Sequence, residues 1–106
     1  MPITPSGFVN LTQLDEQVSR AISKLGPEVV RVRYKVGEDW TGDPSINFRI
    51  VLTDAASREE NLGDVTEKIR RVVVDELRPY EWGLIPYFSF RSQSEQATRS
   101  QDLEWI

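Results

Sequence analysis

A chain of 106 residues with 39% apolar content has room for one core and no second, because independent domains generally need about 100 to 150 residues each. It holds no histidine and no cysteine, which removes the commonest general base, the commonest metal ligand and the softest nucleophile. Seventeen acidic residues against thirteen basic ones leave a formal charge of -4, a balance that repels polyanions on average and favours basic partners.

Residues 1–9 carry Pro2, Pro5 and Gly7 and read as a loose lead-in. Leu11, Leu14, Val18, Ala21, Ile22 and Leu25 then recur at three- and four-residue steps, the stripe of an amphipathic helix. Asn10 or Thr12 can cap it, and Gly26-Pro27 stops it. From Val29 to Val36 the chain alternates, with Val30, Val32, Tyr34 and Val36 on one face and Arg31, Arg33 and Lys35 on the other, which predicts a half-buried strand. Ile46 to Thr53 repeats the pattern, with Ile46, Phe48, Ile50 and Leu52 inward. The nine residues Gly37 to Ser45 between them exceed the usual hairpin loop and predict a projecting connection.

A second helix is predicted within Ser57 to Arg78, with Leu62, Val65, Ile69, Val72, Val73 and Leu77 inward and two competing capping boxes, Ser57 with Glu60 and Asp64 with Glu67. Pro79 ends it. A third strand runs from Leu84 to Arg91, where Pro86 confines it to an edge or a late start. Ser92 onward is polar and aperiodic and reads as a mobile tail over residues 93–106, although Leu103, Trp105 and Ile106 put apolar mass at its far end.

This order predicts a single α/β domain over residues 1–92 of the α+β kind, α-β-β-α-β. A three-stranded mixed sheet would carry both helices on one face, an arrangement like the ferredoxin-like or KH-like folds. The sequence leaves open whether the third strand lies beside the first or the second. With no apolar run near about 18 residues and no signal-peptide pattern, the expected location is cytoplasmic, with no membrane contact.

Three constellations bear on function. Glu38, Asp39 and Asp43 surround Trp40 in the connection; the indole either folds back onto the core or stands out, and an exposed Trp ringed by acids is a hot spot suited to a basic protein partner, with the apolar terminal residues Leu103, Trp105 and Ile106 as further contacts. Arg31, Arg33, Lys35, Arg49 and Arg91 share the outward sheet face with Tyr87, which reads as the ordinary charged, solvated face of a half-buried sheet, as a protein-docking face, or as a basic surface with an aromatic on it that suits single-stranded RNA. The carboxylates of the connection are a third alternative, as ligands of a divalent cation in a metal-dependent enzyme, although their spacing is a poor match to a calcium loop. No Ser or Thr has an imidazole to activate it, and no glycine-rich phosphate loop occurs. The expectation is therefore a non-enzyme without cofactor or metal. An edge strand and an apolar terminus also leave self-association open.

The run Gly37 to Pro44, followed by Phe48-Arg49 and by Phe88-Ser89-Phe90-Arg91-Ser92-Gln93-Ser94-Glu95-Gln96, resembles a family of short bacterial proteins associated with genes neighbouring HEPN-domain proteins. The similarity spans about residues 29 to 96. HEPN proteins are often RNases held in check by a small partner, so the resemblance implies an antitoxin-like or accessory subunit of a nuclease. Partners of such toxins often carry a nucleotidyltransferase Gly-Ser and paired-Asp signature. This chain has neither, so inhibition would have to act by occlusion.

Overall fold

In a computed structural model describing residues 10–99, the first helix, α1, spans Leu11–Ser23. Of the two candidate caps the chain uses Asn10, whose side-chain oxygen accepts from the Gln13 amide at 3.1 Å. That bond satisfies one of the orphan donors of the first turn. Leu14, Val18 and Ala21 are buried, whereas Leu11, at the open end of the stripe, stays exposed.

β1 (Val29–Glu38) and β2 (Pro44–Leu52) pair antiparallel, with Arg33 opposite Arg49, Tyr34 opposite Phe48 and Lys35 opposite Asn47. The inward assignment of Val30 is corrected. The register shifts between Val29 and Arg31, so Val29 packs against the core and Val30 is 46% exposed, the local re-aiming that an extra residue in one strand produces. Ile46, Phe48, Ile50 and Leu52 are buried as their alternation requires.

α2 covers Glu59–Leu77 and starts from neither predicted capping box. Ser57 gives its hydroxyl to the Thr53 carbonyl at 3.0 Å, Asp64 lies inside the helix, and Arg58 occupies the cap position with no side-chain bond. At its other end Arg78 turns left-handed (φ 53°), the helix-ending conformation. Pro79, which disfavours α geometry in the residue before it, opens a 3-10 turn over Pro79–Trp82. β3 (Ile85–Ser92) then runs parallel to β2, and the order β1-β2-β3 settles the question left open by the sequence. β3 is an edge, one of the two placements that Pro86 allows.

Both long helices cover one face of this mixed sheet. Leu14 and Val18 of α1 and Ile69, Val73 and Leu77 of α2 form one cluster with Ile46, Phe48, Ile50, Leu52 and Leu84. At its centre Phe48 stacks on Phe88 with ring centroids 5.1 Å apart. Tyr34 adds a polar tie, donating its hydroxyl to Asp15 of α1 at 2.9 Å; burial and that carboxylate push the phenol up to about 12.

The expected mobile tail is corrected at its start. Gln93–Thr98 form a short helix, α3, with a reciprocal capping box between Ser92 and Glu95. Six residues make too few bonds to be helical alone. Here Asp54 accepts from the Ser94 amide at 2.9 Å and from its hydroxyl, Arg91 of β3 donates to Gln96 at 3.3 Å, and α3 packs against β2 and β3.

Truncating the ring at the centre of the cluster tests this core. Phe48→Ala should lower the unfolding free energy in urea by about 3–5 kcal/mol, while Val30→Ala, at the exposed bulge, should change it by less than about 0.5 kcal/mol.

Candidate functional site

The hairpin tip is shorter and more tightly bonded than a nine-residue connection. The ladder continues to Glu38 opposite Pro44, and only residues 39–43 lie outside it. Pro44 is tolerated because it opens the strand and precedes the β3 ladder, which begins at Ser45 opposite Ile85. Within the tip the Asp39 amide donates to the Asp43 carbonyl at 2.8 Å and the Gly42 amide to the Asp39 carbonyl at 2.9 Å. Gly42 takes φ 87°, the left-handed residue that closes a type I turn of this hairpin class.

Asp39 is the hub. Its Oδ1 accepts from the Thr41 amide at 2.9 Å, the Thr41 hydroxyl at 2.6 Å and the Asp43 amide at 3.0 Å, and its Oδ2 accepts from the Tyr87 hydroxyl at 2.7 Å. These donors hold the carboxyl at about 2, the Thr41 hydroxyl contributing most and Tyr87 next. The reciprocal effect raises the Tyr87 phenol. Tyr87 is thus a tether from the tip to β3, 48 residues away in sequence.

Trp40, the first residue of the turn after Asp39, is 91% exposed. The tip therefore presents an indole on a braced support, flanked by the ionised Asp39 and by Glu38 and Asp43. Two further aromatics lie on the same end of the molecule: Tyr87, 37% exposed, and Tyr80, 68% exposed, near enough to act on the ionisation of Tyr87. Tyr80 carried no periodic signal, since it sits in the turn after Pro79. Leu103, Trp105 and Ile106 lie outside the described residues.

The six residues of the basic constellation do share one face. Strand register arranges the outward positions in rows: Arg31, Val51 and Arg91; Arg33, Arg49 and Ser89; Lys35, Asn47 and Tyr87. Arg33, Lys35 and Tyr87 are exposed and Arg49 half-buried, whereas Arg91 and Val51 are buried in the row nearest α3. No acidic residue occupies an outward strand position. Among the described residues, the ion pairs (Lys24–Glu76, Lys68–Glu28, Arg71–Glu67 and Arg78–Glu81) involve none of Arg33, Lys35 and Arg49.

The acidic tip suits a cation less well than its composition suggests. Both Asp39 oxygens already accept protein hydrogens, the Thr41 hydroxyl also lies 3.0 Å from Asp43 Oδ2, and among the described residues no group of three acidic side chains converges as a metal site. No helix among them is long and apolar enough to cross a membrane. No family model, curated protein or solved structure matches the chain.

The Asp39 hub has a pH signature. Its folded value of about 2 lies below the roughly 3.9 of an unfolded aspartate, so its bonds support the tip fully above that range and are lost as pH falls through about 2. In a side-chain carboxyl NMR titration, Thr41→Ala should raise the Asp39 midpoint toward 3.8, and Tyr87→Phe should raise it less.

Proposed function

We propose that the protein is a non-catalytic docking module that binds another protein through its hairpin tip, with Trp40 as the anchor and Glu38, Asp39 and Asp43 as the surrounding charges. One observation carries this reading: an almost fully exposed Trp on a turn whose backbone is bonded at both ends and whose hub residue is tethered to β3. An indole held this way loses little freedom on binding, and burying it in a partner pocket is among the strongest single contributions an interface can receive.

The partner's chemistry follows from the charges. Three carboxylates around the indole, one of them held ionised far into acid, favour a basic surface and steer its approach. The resemblance of residues 29–96 to proteins encoded beside HEPN-domain nucleases supplies a candidate class: a basic nuclease in the cytoplasm, neutralised or assisted by occlusion. The absent histidine and cysteine support binding without catalysis, and Leu103, Trp105 and Ile106 are candidate secondary contacts.

The test is a tagged pull-down from the native host with mass spectrometry. A basic protein should co-purify with the wild type and fall to background with Trp40→Ala, Asp43→Ala. That double variant should shift the thermal midpoint by no more than about 2–4 °C, as expected for exposed positions. Equal capture by both chains would refute the tip as the docking site.

A further inference from the structure

The outer sheet face is separate from the Trp40 anchor, and its chemistry is opposite. Arg33 and Lys35 stand two residues apart on β1, so their stems rise about 6.8 Å from each other. Arg49 lies directly across from Arg33 on β2, roughly 5 Å away between Cβ atoms. Asn47 continues the row from Lys35 to Tyr87, whose ring is partly open to solvent and whose hydroxyl is fixed by Asp39. Arg31 and Arg91, already engaged within the molecule, border the same face beside α3.

We propose that this face binds a single polynucleotide strand, with phosphates on Arg33, Lys35 and Arg49 and a base stacked on Tyr87. Three features favour that occupant. The cations repeat along β1 at a spacing close to that of phosphates along an extended strand, and no carboxylate is interleaved with them at the outward positions. The ring stands at one end of the cationic rows, where the face of a base can cover it; stacking of this kind tolerates any base. The face spans three strands, about 10 Å between its edges, wide enough for one strand, while reading a duplex requires an element that enters a groove. Because the contacts are to phosphates and base faces, RNA and DNA are accepted alike. Among the described residues the acids lie on the helices, the tip and the loops; Asp39 and Asp43 of the tip stand near Tyr87, so the charge complementarity is carried by the rows of Arg33, Lys35 and Arg49.

Fluorescence anisotropy of a short labelled oligouridylate and a matching oligothymidylate, titrated with the full chain across a range of salt, tests the assignment. Both should bind saturably, with log K falling against log salt at a slope of about -2, from about -0.7 for each of three neutralised phosphates. Arg33→Ala, Arg49→Ala should cut the affinity at low salt by about tenfold or more and reduce the slope to about -0.7. Lys24→Ala, Arg71→Ala removes the same charge from the helices and should leave both unchanged. Tyr87→Ala should weaken binding about fivefold or more while Tyr87→Phe keeps it. Trp40→Ala, Asp43→Ala should bind as the wild type does, which separates this face from the protein-docking tip. No saturable binding at low salt, equal losses in the two charge variants, or displacement by polyglutamate at matched charge would overturn the proposal; the last would mark an acidic protein segment as the occupant.

Discussion

The structure depends on β2 being bonded on both sides with its inward face wholly buried. Its inward residues Ile46, Phe48, Ile50 and Leu52 are all excluded from water, so a one-residue slip would carry four large apolar side chains to the open face. That penalty locks the register. The same register then aligns residues that no local rule connects: Arg33 of β1 with Arg49 and Ser89, and Lys35 with Asn47 and Tyr87. The basic rows are thus a by-product of core packing, positioned by the hydrophobic face behind them.

Much of this was legible because burial imposes a period. Both strands of the hairpin, the stripes of α1 and α2 apart from their exposed first members Leu11 and Leu62, and the outward placement of the arginines follow from alternation or three-to-four spacing alone. The misses have one physical character: each depends on a partner distant in sequence or on a backbone detail without a period. Val30 is turned out by a bulge that only the pairing with β2 reveals. α3 has six residues and no stripe, and its docking on Asp54 spans 40 residues. Gly37 and Pro44 look like breakers, yet both lie inside the ladder. The exposure of Trp40 is likewise a tertiary fact, since the sequence allows the indole either to pack or to stand out.

The charge distribution shows why a total is a weak guide to partners. A chain of net charge -4 is two-sided: Glu38, Asp39 and Asp43 gather at the tip and Glu59, Glu60, Asp64 and Glu67 along α2, while the outward strand positions carry only basic and neutral side chains. At physiological ionic strength the screening length is about 8 Å. A partner docked on the sheet therefore meets Arg33, Lys35 and Arg49 at close range, and the acids on the opposite helical layer only weakly. The sign of the local face sets what it attracts, and the net charge mainly sets solubility and long-range approach.

The two surfaces meet in one hydrogen bond. Tyr87 belongs to the outer face by register, and its hydroxyl is spent on Asp39, the residue on which the turn around Trp40 is built. Without that bond the tip would keep its own backbone bonds and those of Thr41. The carboxylate held at about 2 keeps this connection ionised and intact across the whole range of pH in which proteins ordinarily work.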